Sequence, residues 1–205
     1  MGLYGRYLCP CLTDWVMAGP QFAELRPQVL SRARGNVFEI GFGSGHNLAY
    51  YPVDVTKLTT ADPSVGLNRI AQHRILASPV PLETHILSAE RLPMPDHTFD
   101  TVVSTWTLCS IAGVEEALSE VRRVLKPNGR FLFVEHGLAD DPRTQWWQHT
   151  LTPIQKVLGD GCHFNRDIKA LIENSGFRIE TLENFRMRNM PKWVGYQYKG
   201  VAVKA

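Results

Sequence analysis

Four residues of strand character, Val37-Phe38-Glu39-Ile40, run without a break into Gly41-Phe42-Gly43-Ser44-Gly45. Glycine has no Cβ and tolerates positive φ, so this run turns sharply and lets backbone approach a ligand closely. A strand, a glycine-rich turn and a short helix through Tyr51 form the opening unit of an open α/β sheet. The turn then lies at the carboxyl end of a parallel strand, where such sheets bind ligands. The alternation continues. Residues 57–61 read as a second strand, 65–74 as a helix, and 82–87 and 99–104 as strands, the last apolar enough to be central. Residues 114–125 place Val114, Leu118, Val121 and Leu125 at helical spacing. Lys126-Pro127-Asn128-Gly129 predicts a turn into a fifth strand over 130–135. Asn165 is placed to cap a helix over 166–174, which Gly176 ends. Residues 177–182 and 196–203 are the last strands. Only a loop without a helix is expected between them, which predicts an antiparallel pair closing the sheet.

The chain has 205 residues, enough for one α/β domain with its own core. It shows no repeat and no linker, so it reads as a single domain over 1–205. Residues 1–34 are a helical leader, acting as lid or side wall. Residues 35–135 are the core, and 136–205 an insertion plus the closing strands. Within the leader, 12–34 is expected to be helical, interrupted near Gly19-Pro20 and Pro27, with Trp15, Phe22, Leu25, Val29 and Leu30 on its apolar side. A net charge of +2 gives no electrostatic footprint for nucleic acid. The four cysteines, Cys9, Cys11, Cys109 and Cys162, form no pair of Cys-x-x-Cys motifs, so no metal site is expected. No signal peptide and no bilayer-length apolar run is present. A reducing, cytoplasmic setting follows as the simplest expectation, with a peripheral membrane contact left open.

The loop differs from a dinucleotide loop in one position. The Gly-x-Gly-x-x-Gly pattern is broken because the third glycine comes early, at Gly45, and His46 stands in its place. Glu39, an acid, precedes the loop. S-adenosylmethionine (SAM) has no pyrophosphate but carries an α-amino group and a sulfonium, which suit negative and carbonyl groups. Asp62, at the end of the second strand, is spaced to accept both hydroxyls of a ribose; alternatively it starts a turn with Pro63 and Ser64.

Here the chain resembles the class I SAM-dependent methyltransferases. The likeness rests on Glu39-Ile40-Gly41-Phe42-Gly43-Ser44-Gly45, Ala61-Asp62-Pro63-Ser64, Ala89-Glu90-Arg91-Leu92-Pro93-Met94-Pro95 and Glu120 to Arg130. It implies a Rossmann-like, doubly wound α/β sheet of seven strands, mostly parallel with an antiparallel last strand. It also implies SAM as cofactor and S-adenosylhomocysteine as product. The cofactor site it implies comprises Glu39, Gly41, Phe42, Gly43, Gly45, Asp62, Pro63, Ala89, Glu90, Thr105 and Trp106. In it Asp62 holds the ribose, Ala89 and Glu90 lie beside the adenine, and Thr105 and Trp106 close over the cofactor. Many relatives carry Asp where Ser88 or Ala89 stands; Glu90 either substitutes for it or caps a helix.

Methyl transfer from a sulfonium needs an aligned nucleophile and exclusion of water, with a base only for a protonated acceptor. Acceptor-side candidates are Trp106, Cys109, Glu135 and His136, and then Trp146, Trp147, His149, the run Gly159-Asp160-Gly161-Cys162-His163, and Arg166. His163 is the first candidate base and His136 the second. The runs Trp106-Thr107-Leu108-Cys109-Ser110, Glu135-His136 and Asp160 to Arg166 resemble the small thiol S-methyltransferases related to the microsomal methyltransferase-like proteins, and also the quinone and phospholipid N-methyltransferases. A small apolar acceptor, foremost a thiol, is the expectation. The alternatives are a quinone precursor, a lipid amine or a non-catalytic SAM-binding module. A nicotinamide oxidoreductase is disfavoured by His46. Met1-Gly2 alone makes no myristoylation pattern.

Overall fold

The protein is described by a computed structural model covering residues 7–205. Met1-Gly2, which makes no myristoylation pattern, lies outside the described residues.

Seven strands form one sheet in the order β3-β2-β1-β4-β5-β7-β6. They are β1 Gly35–Ile40, β2 Val55–Ala61, β3 Leu82–His85, β4 Phe99–Thr105, β5 Leu125–His136, β6 Phe177–Arg186 and β7 Tyr196–Lys204. β1 to β5 pair in parallel. β7 is inserted between β5 and β6 and runs antiparallel to both. This is the mostly parallel doubly wound sheet expected from the sequence. Its centre is apolar on both faces: Val102, Val103, Phe131, Leu132 and Phe133 have almost no exposure, as strands covered by helices on both sides require. α4, Val114–Val124, buries Val114, Ala117, Leu118, Val121 and Val124, one stripe at helical period. α3 spans Val65–Leu76, and Ser64 caps it by accepting from the Leu67 N–H at 3.2 Å.

Three local expectations are corrected. β5 starts at Leu125, directly where α4 ends, rather than after a four-residue turn. Leu125 pairs with Phe99 and the next pair is Thr101 with Arg130, so residues 126–129 bulge out of the ladder. The apolar Leu125 is fully buried, which favours pairing it over leaving it in a turn. Second, the cap of α6, Ile168–Asn174, is Asp167, whose Oδ1 accepts from the Ala170 N–H at 3.0 Å. Asn165 instead places Nδ2 2.9 Å from Nδ1 of His149. Third, a four-residue helical turn, α7 (Lys192–Gly195), lies between β6 and β7, where only loop was expected. It is closed by the Met187 N–H donating to the Gly195 carbonyl at 2.8 Å.

The leader forms α1, Cys9–Met17, and α2, Pro20–Leu30. The break falls at Gly19-Pro20 as expected, but Pro27 sits inside α2 without ending it. Phe22, Leu25, Val29 and Leu30 are buried, whereas Trp15 is 75% exposed and does not belong to the buried side. α1 is fastened down by Asp14, whose Oδ1 lies 2.8 Å from Arg74 of α3 and 2.9 Å from Nε2 of His46. Among the described residues no helix is long and apolar enough to cross a membrane.

Candidate cofactor and acceptor site

β1 pairs with β2 on one side and β4 on the other, and the connections leave toward opposite ends of the sheet. That switch of direction opens a crevice at the carboxyl ends of the strands. A cavity of about 480 Å³ lies there. Glu39, Gly41, Phe42 and Gly43 from the β1 turn form part of its wall, with Asp62 and Pro63 from the end of β2. Ala89 and Glu90, and Thr105 and Trp106, complete the set expected from the sequence. Gly45 is not in the wall; at φ +81° it turns the loop into a short 3-10 helix, His46–Tyr50.

The two glycines of the β1 turn that reach the wall do different work. Gly41 has φ +68°, and a Cβ there would stand 2.0 Å from Oγ1 of Thr107. Close backbone packing against the segment after β4 therefore requires glycine. Gly43, at φ +58°, would meet only the Gly41 carbonyl at 3.9 Å; a side chain there would occupy cavity space.

Asp62 is buried and organises the turn. Its Oδ2 accepts from the Gly43 N–H at 2.7 Å and its Oδ1 from the Ser64 N–H at 2.8 Å. Each carboxylate oxygen keeps a second lone pair. Burial pushes its pKa up, and the two backbone N–H groups oppose this. Glu39 is more deeply placed. Its Oε1 accepts from Asn47 Nδ2 at 2.8 Å and its Oε2 from the Tyr51 hydroxyl at 2.6 Å. Burial raises its pKa to about 7, against those two hydrogen bonds and Arg26. Glu90 accepts from the Ser88 hydroxyl and from the Gly113 N–H, each at 2.6 Å. It thus ties Ser88-Ala89-Glu90 to the start of α4 and also faces the cavity.

Several wall residues carry no motif in the sequence. α1 contributes Cys9, Pro10, Thr13 and Met17, and α2 contributes Arg26. Arg26 is buried; its Nη2 donates to the Met17 carbonyl at 2.9 Å, and its guanidinium lies over the Trp106 ring at 5.4 Å. Among the described residues its Nε has no partner, and neither does Oδ1 of Asn47. A contact between the leader and the glycine turn is long-range, and no local pattern announces it.

On the acceptor side, Trp106, Gly159 and Asp160 reach the cavity wall. Trp106 has φ +53° and is braced by Nε1 donating to Gln197 at 2.9 Å. Trp146 and Trp147 stack edge to face at 4.8 Å but are largely exposed and outside the wall. Glu135 is a brace: its Oε1 accepts from the Ser104 hydroxyl at 2.7 Å and the Thr107 and Leu108 N–H groups at 3.0 and 3.1 Å. Arg166 donates to the Leu108 carbonyl. His163 is half-buried. Its Nδ1 sits 3.2 Å from the Cys109 carbonyl, an acceptor, so the ring proton belongs on Nδ1 and Nε2 keeps a lone pair. Burial, with Arg166 adding to it, holds its pKa below the usual histidine value. His136 is fully buried with Nε2 3.0 Å from the Cys162 sulfur. Neither imidazole is part of the wall.

Residues 38–133 match the family of methyltransferase domains. The chain is 35% identical to the thiol S-methyltransferase TMT1B of Rattus norvegicus, over 82% of this chain and 70% of that protein. It is 32% identical to the human thiol S-methyltransferase TMT1A with the same coverage. The demethylmenaquinone methyltransferase of Symbiobacterium thermophilum is 32% identical over 55% of this chain and 47% of that protein. The chain belongs to the SAM-dependent methyltransferases. A putative methyltransferase of Bacillus halodurans shares the fold, with a TM-score of 0.68 at 17% identity over 90% of this chain and 96% of that one.

The cavity of this methyltransferase fits SAM on its own chemistry. SAM ends in an amino acid zwitterion and a nucleoside. The wall offers a carboxylate at Glu39 and the guanidinium of Arg26. It also offers a doubly anchored carboxylate at Asp62 and open space above Gly43.

Proposed function

We propose that the protein methylates the sulfur of a small apolar thiol, releasing S-adenosylhomocysteine. The observation that carries the acceptor class is the likeness to thiol S-methyltransferases over 82% of the chain. A second feature supports its apolar character: α1, which lines the cavity, exposes Leu12, Trp15 and Val16 outside it. The quinone methyltransferase reading rests on a likeness over 55% of the chain, and it becomes an outcome of the test below.

Bound SAM supplies an electrophilic methyl group on a sulfonium. We assign the ribose hydroxyls to Asp62, the α-ammonium to Glu39, the carboxylate to Arg26, and the adenine to the wall at Ala89 and Glu90. Thr105 and Trp106 then border the transferring group, and Phe42 with Pro63 excludes water. A free thiol has a pKa near 8.5, so a small fraction is already thiolate at neutral pH. His163, neutral there with a free Nε2 but outside the cavity wall, is assigned the remaining proton through one intervening water. His136, locked against Cys162, is assigned a different role. Replacing His163 with Ala is expected to lower kcat about tenfold or more at pH 7. The deficit should close above the thiol pKa while SAM affinity stays unchanged. An equal rate at pH 7 removes His163 as the base.

The Glu39 assignment gives a pH dependence. Without SAM, the folded protein holds the Glu39 proton up to about pH 7, whereas a free carboxyl loses it near 4.5. The native state therefore binds more protons in that window, and this group's contribution to stability falls as pH rises from 4.5 to 7. An ammonium beside Glu39 favours its charged form, so SAM should bind more tightly as pH rises through 7. Calorimetric titration at pH 6 and 8 reads this directly. Glu39→Gln should bind SAM more weakly and flatten that pH dependence. A wild-type affinity independent of pH would remove the Glu39 assignment.

The acceptor is tested with methyl-labelled SAM against alkyl thiols, phenols, quinols and lipid amines, comparing kcat/KM. The proposal expects thioethers as the dominant product. Preferred methylation of a quinol ring carbon or a lipid amine would overturn it in favour of the other reading.

A further inference from the structure

Cys109 follows β4, His136 ends β5, and Cys162 lies in the loop after α5, Pro142–Leu158. The sequence shows no metal motif because these positions are 26 residues or more apart. The fold nevertheless brings them together. The Cys162 sulfur stands 3.8 Å from that of Cys109 and 3.0 Å from His136 Nε2. All three donor atoms lie within 4.8 Å of one another. The residues are 2%, 7% and 8% exposed for Cys109, His136 and Cys162 respectively. Both sulfurs belong to free cysteines, and His136 Nδ1 is buried without a partner among the described residues.

We propose that Cys109, Cys162 and His136 bind a thiophilic divalent cation of the zinc class. The separations approach those of a tetrahedral site. With metal–sulfur bonds of about 2.3 Å and metal–nitrogen bonds of about 2.0 Å, two sulfurs sit roughly 3.8 Å apart and sulfur and nitrogen about 3.5 Å. The sulfur pair already has that separation; the imidazole has to withdraw from Cys162 by about half an ångström and to close on Cys109, which lies within 4.8 Å of it. Two thiolates and one dication make a neutral unit, which a buried place accepts where lone charges are costly. Two cysteines and one histidine leave a fourth position open. Each thiol gives up its proton on binding, so the ion displaces about two protons per site to the buffer.

The ion would join three separate segments. Two are the carboxyl ends of β4 and β5, and the third is the loop that follows Gly159 and Asp160 of the cavity wall. The His163 N–H already donates to the Cys109 carbonyl at 2.8 Å, so the same junction positions His163. The inference does not depend on which acceptor is methylated.

The test uses full-length protein purified under argon with a phosphine reductant and titrated with zinc against a chromophoric chelator. The expected result is about one zinc per chain, with affinity reduced at least about a hundredfold in Cys162→Ser and in His136→Gln. Cys11→Ser, at an exposed cysteine, should bind as the parent does. SAM binding by calorimetry shows which variants are folded. Should the buried substitutions fail to fold, cobalt(II) added to the wild-type protein decides, through a thiolate-to-metal charge-transfer band and the visible bands of a tetrahedral ion. Absence of that band, or zinc retained equally by folded Cys162→Ser, overturns the proposal. So does intact-mass evidence, under metal-free conditions, that Cys109 and Cys162 are joined in a disulfide that prevents zinc uptake.

Discussion

Replacing Asp62 with Ala is expected to weaken SAM binding by about 2 to 3 kcal/mol, roughly 30- to 150-fold in Kd. The carboxylate is buried, and it is assigned two ribose hydroxyls while holding the Gly43 and Ser64 N–H groups. Losing it leaves those two backbone donors without their partner and removes both ribose acceptors. Hydrogen bonds to a charged group sit at the upper end of the usual range. Asp62→Asn keeps the shape and one carbonyl oxygen but forces an NH2 toward one of the two donors. Its affinity should fall between the other two. Calorimetry at fixed pH and salt measures all three. An Asp62→Ala protein that binds SAM as tightly as the parent would remove Asp62 from the ribose.

The second large effect concerns the turn itself. Gly41→Ala puts a Cβ 2.0, 2.2 and 2.6 Å from three atoms of Thr107, at φ +68°. The overlap and the positive φ together are expected to destabilise the fold by about 3 kcal/mol, or a Tm lower by roughly 6 to 12 °C for a chain of this size. Thr107→Ala in the same chain removes two of the three clashing atoms and should restore part of the loss. That coupling is the signature of direct contact. Gly43→Ala separates stability from binding. Its Cβ meets no protein atom closer than 3.9 Å, so Tm should fall only by the cost of positive φ, about 1 kcal/mol. SAM affinity should suffer more than stability does, because the methyl group enters the cavity. Equal Tm values for the two variants would contradict the packing account of the turn.

The sequence made legible what is local. Val37 to Ile40 and Phe99 to Ser104 read as strands because apolar residues run through them, and α4 read as a helix because its apolar residues recur at one period. The glycine turn and Asp62 stood out because their order and spacing are short-range properties. The boundary errors also have local causes. Asp167 competes with Asn165 for the α6 cap and wins by accepting the third N–H of that helix. Leu125 gains full burial by entering β5 early. The leader's place was not legible. Arg26, Cys9 and Met17 reach the cavity only because α1 packs along α3, fixed by Asp14 to Arg74. Trp15 reads as core by composition, but it faces outward because the buried side of the leader is carried by α2. The cluster of Cys109, His136 and Cys162 was invisible for the same reason. Three strand and loop ends meet in space without any spacing that announces them.

The central claim is that SAM lies in the 480 Å³ cavity with its nucleoside toward Asp62 and its amino acid end toward Glu39. The measurement that tests this most directly is a crystal structure of the protein with S-adenosylhomocysteine. The account predicts both ribose hydroxyls on the Asp62 carboxylate and the adenine against Ala89 and Glu90. It also predicts the α-ammonium at Glu39 and the carboxylate on Arg26. Density for the ligand in the reverse orientation, or at any other place on the molecule, would contradict it.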